Sequence, residues 1–531
     1  MRAIKTNTLT GQLLRITAIA AASLLGNAAQ AAVPGITGGT GATAAFALAA
    51  SAAHITQPDG ATVYSWGYGC SAQPAGSAPA AIPLPITGCP TMQIPGPTLI
   101  VTEGQTVTVT LTNNLPAAAG RTSMLFPGFN VTASGTAGPL TSEAASAGGI
   151  ATYTFTATTP GTHSYYSGTQ GDLQVEMGLY GAIVVLPAAI PANCTTGLAA
   201  SNVAAEAAHG EDDFRLAAAA YNHSSACYDR EYLFQFSEMD PKIHRAAEEI
   251  ATCTSGTCPT TMDSVATEPY LPGYYMINGR SMPDDMDPVY AVQYPHQPYN
   301  GNPHMHPGEM TLLRIVGQGR WQHPFHEHGN HVRVLARDGN LLLAPAVTAG
   351  PTTPLAGPLL FTTTTTPGQT IDGLFQWTGK GLNWDVFGHS DGTPTASATC
   401  TSDANGYNTG NPAAANYYEW CGDHNKPLEN KPFGDVGSGG PMTLPDANIM
   451  VNGPWYAGSP YLGGDATGRA VGPTPIAPSG TVGNSPSDEA GFAYMWHSHN
   501  EREITTNNIF PGGMLMMMLV DPRAYSIDES K

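Results

Sequence analysis

The stretch from Gly104 to Asn114, GQTVTVTLTNN, alternates Val107, Val109 and Leu111 with Thr106, Thr108, Thr110 and Thr112. A period of two sends successive side chains to opposite faces of an extended chain, so this segment reads as a strand with one buried face. The same grammar recurs along the sequence. TVYSWGYG, ATYTFTATTPGTHSYY and GLYGAIVVLP fall in the first part, and REYLFQFSEM, PGEMTLLRIVGQG, HPFHEHGNHVRVLARDG, PGQTIDGLFQW, GFAYMWHSH and GGMLMMMLVDP in the second. Gly, Pro and Asn bound each run, and 61 Gly with 45 Pro in 531 residues supply turns for many short strands. Only 11% of residues are charged, which argues against long solvated helices, while 42% are hydrophobic, enough for a sizeable core. The chain reads as all-β.

Residues 45–188 form one β domain in this reading. Residues 189–229, rich in Ala, Asn and Ser and holding two cysteines, read as a linker pinned by a disulfide, and 230–524 as a second β domain. PGPTLIVTEGQTVTVTLTNN in the first domain resembles HPGEMTLLRIVGQG in the second, which suggests a duplicated unit. An insertion at about 380–490 is dominated by Gly, Pro, Asn, Ser and Thr. A loop of that length is either a functional cover or a disordered insertion, and Cys400, Cys421, Trp384, Trp420 and Trp455 favour the cover.

Residues 1–31 carry Arg2, Lys5 and Arg15, then the apolar Ile16 to Leu25, then Ala29-Gln30-Ala31, the pattern of a signal peptide cleaved after Ala31. The apolar run is shorter than the roughly 20 residues that span a bilayer, and no later run reaches that length, so no membrane span is expected. The reading is an exported protein, periplasmic or extracellular. The eight cysteines, Cys70, Cys89, Cys194, Cys227, Cys253, Cys258, Cys400 and Cys421, are even in number and fit disulfides in that compartment. Pairing each with its nearest neighbour closes four local loops, one connectivity among many. For Cys253 and Cys258 a metal or redox pair is the alternative to a small disulfide loop. A net charge of -20, with no basic block, excludes the clustered cations that nucleic-acid binding needs.

Histidine distribution carries the chemistry. Of 16 histidines, His323, His326, His328 and His331 fall in WQHPFHEHGNH, and His497 and His499 flank Ser498 in MWHSHNE. On a strand, residues two apart share a face, so His326 with His328, and His497 with His499, each present two imidazoles together. Two such strands side by side would bring four imidazoles to one point, a donor set suited to Cu, Zn, Fe or Ni. His304 and His306 form a third such pair in QPYNGNPHMHPG, either ligands or part of an exposed loop. His54, His163, His209, His223, His244, His296, His389 and His424 stand alone and read as structural. Glu327, Glu501 and Glu503 lie close enough in sequence to act as extra ligands, to support the pairs, or to be plain turn carboxylates.

HPFHEHGNH resembles the HPxHxHGH strand of the multicopper oxidases, the laccase-like family built from cupredoxin domains. WHSH followed by PGGM resembles that family's terminal HCHxxxHxxxxM segment, and PGPTLIVTEGQTVTVTLTNNLP with GTHSYY and GLYGAIVV resembles its first domain. The resemblance runs from about Thr62 to Pro522 apart from the linker and the insertion. It implies two cupredoxin-like Greek-key β-barrel or sandwich domains, as in two-domain laccases and copper nitrite reductases, with copper as cofactor. By position, His323 matches the family's type 1 copper ligand, Met514 its axial ligand, and His326, His328, His497 and His499 match ligands of the three-copper centre.

Departures from the family are specific. Ser498 stands where the type 1 cysteine would be, and Glu503 where the downstream type 1 histidine would be. In the first domain TSMLFPG and HSYYSGT replace the two histidine strands, with Tyr166 and Gly168 in place of one pair. What survives is a four-imidazole site for one or two copper ions. The resemblance thus implies an exported copper-binding oxidoreductase acting on a small reductant or metal ion with oxygen as acceptor, in which the ordinary laccase mechanism is altered. The alternative is a non-catalytic copper-binding or copper-storage protein. No catalytic acid, base or nucleophile is assigned. A homo-oligomer would not restore the usual ligand set, but it leaves room for His304, His306 or His163 to take part. Met514, Met516, Met517 and Met518 read either as thioether donors or as a buried final strand, with the core role favoured.

Overall fold

A computed structural model describes residues 32–208, 210–346, 349–380, 400–412, 414, 417–422, 458–462, 490–521, 523 and 525–530. Residues 1–31, the expected signal peptide, and most of the insertion, with Trp384, Trp455, His389 and His424, lie outside the described residues, as does His209.

The alternating segment forms strand Thr106–Asn113, with Val107, Val109, Leu111 and Asn113 buried. It pairs antiparallel with Ile150–Thr156 and parallel with Thr43–Thr56. With Thr62–Cys70 and Thr132–Ser134 these strands make one five-stranded sheet. A second sheet runs Gly161–Tyr166, Tyr180–Leu186, Leu99–Thr102, Gly35–Thr37 and Gly76–Ala78. The two sheets close over a core that includes Leu48, Trp66, Val109, Tyr153, Ile183 and Val185. This first sandwich begins at Gly35–Thr37, ahead of the expected residue 45.

The second sandwich repeats the plan. One sheet orders Tyr274–Ile277, Arg230–Met239, Met310–Gly317, Thr370–Gln376, Val332–Arg337 and Asn340–Leu341. The other orders His304–Met305, Leu515–Val520, Ala490–Ser498, His323–Glu327 and Thr362–Thr365, with Gly458–Leu462 pairing Ala490–Ser498. Tyr232, Phe234 and Phe236 face Phe325, Trp496, Met516 and Met518 in the core, so the methionine-rich run is a buried strand. The architecture is that of two cupredoxin-like β-sandwiches.

Alternation also sets how the sandwiches stack. Ile183 and Val185 point into the first core, while Ala182 and Val184, on the other face of the same strand, meet Leu233 and Val316 from the outer face of the second sandwich. The four large sheets therefore lie in four layers. Polar groups fix the middle joint: Asp372 accepts from the Thr162 amide at 3.0 Å and its hydroxyl at 2.6 Å, and Arg314, paired with Glu231 at 2.8 Å, donates to the Thr162 hydroxyl at 3.2 Å.

Residues 189–229 are more than a linker. They carry helix Gly197–Ala208, and Ala220, Tyr221, Ala226 and Tyr228 pack on Leu312, Leu335 and Leu374. All eight cysteines pair with their nearest neighbours, 70 with 89, 194 with 227, 253 with 258 and 400 with 421. Among the described residues no helix is long and apolar enough to cross a membrane.

The strand pattern does not reveal the excursion that follows Arg230–Met239. Asp240 caps helix Pro241–Ala251 by accepting from the Lys242 amide, with Pro241 at the first turn, a start signal that is present in the sequence. Ile243, Ala247, Met262, Val265 and Tyr270 enter the core of the first sandwich, so a segment assigned to the second domain straps the two together. Ile243→Ala is expected to cost about 2–5 kcal/mol of stability, read from denaturant unfolding, because the site is enclosed from both sides. A loss no larger than that of a surface substitution would mean that the strap is not part of the core.

Glu176 lies buried under this strap, accepting from the Asp240 amide at 2.6 Å and the Tyr270 hydroxyl at 2.5 Å. Burial outweighs those bonds and pushes its carboxyl up to about 8. A carboxyl raised in the folded state gives stability that is complete below the unfolded value of about 4.3 and is lost as pH rises toward the folded one. Glu176→Gln should therefore flatten the fall of Tm with pH across this window. An unchanged slope would place the responsible proton elsewhere.

Candidate metal centre

The two histidine strands are direct neighbours. His323–Glu327 and Ala490–Ser498 pair antiparallel with His326 opposite His497, Phe325 opposite Ser498 and Glu327 opposite Trp496. Phe325 and Trp496 meet edge-on at 6.1 Å inside the core. Alternation then sends His326 and His497 to the other face, the outermost of the four layers and the side away from the first sandwich. His328 and His499 follow at the strand ends. Ring centroids lie 4.6 Å apart for His326 and His328, 5.6 Å for His326 and His497, 4.8 Å for His326 and His499, and 5.1 Å for His328 and His497. His326, His328 and His497 are buried, and His499 is exposed.

Neighbours orient the rings. His497 donates from Nδ1 to the Ser498 carbonyl at 2.7 Å, which leaves its Nε2 as the ligand atom, 3.3 Å from His328 Nε2. Two nitrogens bound to one metal at about 2.0–2.1 Å with a tetrahedral angle stand about 3.3 Å apart, so this pair has ligand spacing. His326 Nδ1 meets the Thr362 hydroxyl at 2.8 Å. Burial, then the positive potential of His497 and His499, lowers His326 to about 4, and burial also lowers His497. Both imidazoles are neutral at neutral pH, the form that binds metal. As placed, no group of three or more His, Cys, Asp or Glu side chains among the described residues closes on one ion position. The donor set fits a soft or borderline metal through the His328 and His497 pair, with His326 and His499 a ring's width away.

His323 is not part of this cluster. On the inner face of its strand, its Nε2 bonds Glu238 and its Nδ1 bonds Glu503, each at 2.9 Å. Burial would lower its pKa, but the two carboxylates win and raise it to about 9, so it is an imidazolium with both nitrogens occupied. Ser498 donates to the same Glu503 oxygen at 2.5 Å, and Asn500 Nδ2 donates to the other at 2.9 Å. Met514 is buried beneath this network. Position alone suggested a ligand at His323; the carboxylates of Glu238 and Glu503 hold both of its nitrogens instead.

The remaining candidates lie elsewhere. His304 meets Asp521 at 2.6 Å and His306 meets Glu211 at 2.6 Å, both buried, which corrects the exposed-loop reading of QPYNGNPHMHPG. His163 is buried against Phe129 and donates to the Thr159 carbonyl at 2.9 Å. His331 lies 5.4 Å from the Phe361 ring. His54, His223, His244 and His296 have local partners, as isolated histidines should. Glu327 turns inward, accepts from the Thr363 hydroxyl, and is pushed up to about 8 by burial. Glu501 stands exposed 3.8 Å from His499.

Residues 90–189 match the family model described as multicopper oxidase. Among solved structures the chain is similar to the multicopper oxidase mgLAC, at 14% identity and a TM-score of 0.43 over 90% of this chain and 85% of that one. It is also similar to a blue copper oxidase from Nitrosomonas europaea, at 14% identity and a TM-score of 0.42 over 89% and 85%. A copper nitrite reductase from Nitrosomonas europaea is similar at 19% identity and a TM-score of 0.37 over 62% and 84%. No curated protein matches the sequence. The matched segment covers first-sandwich strands, whereas the four imidazoles belong to the second, and the family's implied copper has no histidine pair in the first.

The imidazolium makes a pH dependence of its own. A histidine raised in the folded state gives stability that is complete below the unfolded value of about 6.5 and is lost as pH rises through the folded one. Tm should therefore fall as pH rises toward about 9. His323→Gln should remove that component, and an unchanged alkaline limb would show that His323 is not charged.

Proposed function

We propose that this chain is an exported, periplasmic or extracellular, copper-binding oxidoreductase of multicopper-oxidase type, with its metal held by His326, His328, His497 and His499. The observation that carries this reading is the meeting of four imidazoles on one face of two paired strands, in a chain whose residues 90–189 match the multicopper oxidase family model. The choice of copper over zinc follows from the family, since imidazole accepts both. Copper bound there would supply one-electron redox chemistry. The chain contributes the rest. The Ser498 carbonyl fixes the His497 tautomer, burial of three of the rings keeps water from them, and His499 marks the side open to solvent. Phe361, 42% exposed and 5.6 Å from the His326 ring, gives a small reductant an apolar surface beside the site. A metal-ion reductant would instead meet Glu501 beside His499. Oxygen is the proposed acceptor.

One observation favours a second reading, a non-catalytic copper-binding or copper-storage protein. All eight cysteines are in disulfides, so no thiolate lies beside the histidines to collect electrons. Copper per chain, measured on the mature protein, separates these readings when combined with oxygen uptake in the presence of a phenol. One or two copper ions, no intense blue absorption and measurable oxygen uptake are expected for the oxidoreductase. Bound copper without oxygen uptake under any reductant would favour storage. His497→Ala with His499→Ala should remove most of the copper, and full retention would eliminate the site.

A further inference from the structure

The two strands that carry the imidazoles are joined on their opposite face by one side chain. Glu503 Oε2 accepts from His323 Nδ1, on the first histidine strand, and from Ser498 Oγ, on the second. Its other oxygen accepts from Asn500, whose own side chain caps the short helix Glu501–Ile504 by accepting from the Arg502 amide. The Glu503 carbonyl accepts from the Met514 amide, which ties the same turn to the start of strand Leu515–Val520. Glu238 closes the far side: it bonds His323 Nε2 and accepts from the amides of Arg320 at 2.7 Å and Trp321 at 2.9 Å. Glu503, His323 and Ser498 are each almost wholly buried.

From this juxtaposition we infer that Glu503 is a positioning residue for the four-imidazole site, a clamp through His323 and Ser498 that fixes the separation of the two histidine strands. Ser498 lies between His497 and His499 and Phe325 lies between His323 and the His326 pair, so a shift of either backbone moves rings on the other face. The clamp is rigid because its bonds are charge-assisted, buried and anchored at both ends. An imidazolium between two carboxylates loses far more on displacement than an exposed ion pair would. The His328 and His497 nitrogens, 3.3 Å apart, are thereby held at ligand spacing before metal binds. Groups that orient a metal's ligands typically carry 10–100-fold in metal affinity.

This inference rests on the proposed site, and its test keeps the two apart. Copper affinity is measured by competition with a chromophoric chelator on the full chain, together with the electron paramagnetic resonance spectrum of the copper-loaded protein. Glu503→Ala should weaken copper binding about 10–100-fold and broaden the spectrum. Glu503→Gln, which can still accept from both partners, should recover most of the affinity. Ser498→Ala, which cuts one arm of the clamp, should weaken binding even if Glu503→Ala does not fold. Ile243→Ala, destabilised at a distance, should bind copper as the parent does. Parent-like affinity and spectrum in folded Glu503→Ala or Ser498→Ala, while His497→Ala with His499→Ala loses copper, would overturn the clamp alone. Retention of copper by the double histidine variant would overturn the site itself.

Discussion

The pairing of His323–Glu327 with Ala490–Ser498 is the constraint on which the rest depends. With His326 opposite His497, every residue of odd offset turns inward and every residue of even offset outward. A slip by one residue would exchange the faces, putting Phe325 and Trp496 in solvent and the imidazoles in the core. The hydrophobic contacts of Phe325 and Trp496 with Phe234, Phe236 and Phe375 therefore do more than stabilise the sandwich. They set the register that brings four rings together, and burial of aromatic side chains of this size, about 1.5–3 kcal/mol each, makes the slipped register inaccessible.

The same alternation explains why one strand pair carries two unlike polar sites. Outward, burial first and the neighbouring rings second disfavour the charged forms of His326 and His497. Inward, His323 is charged because Glu238 and Glu503 leave no other way to balance two carboxylates removed from water. Fewer than ten residues separate these histidines in sequence, and their titration is driven in opposite directions by what lies on each side of the sheet.

Much of this was legible in the sequence because it is local. Period-two runs gave the strands, the spacing of His326 with His328 and of His497 with His499 gave pairs on one face, and nearest-neighbour cysteines gave the disulfides. What was hidden is relational. The carboxylates on His323 come from Glu238 and Glu503, both far from it along the chain, and although Glu503 stood out near the second histidine pair, nothing in its local pattern ties it to His323. The strap was missed because a segment following a second-domain strand packs in the first domain, which a linear reading of boundaries cannot express. QPYNGNPHMHPG has loop composition, yet His304 and His306 are buried, because Asp521 and Glu211 supply partners from far along the chain.

Ser498 and Glu503 are best understood as one change rather than two. A serine alone at position 498 would place a buried hydroxyl beside His323 with only Glu238 left to balance the imidazolium. A glutamate alone at 503 would bury a carboxylate that His323 and Asn500 could only partly satisfy. Together they close a network in which Glu503 receives three hydrogen bonds and His323 donates two. A satisfied network of this kind holds the backbone as a metal ion would, but it holds it with protons and cannot change oxidation state. A metal held by the proposed site would therefore lie on the outer face, where the inner network can act on it only through the positions of the rings.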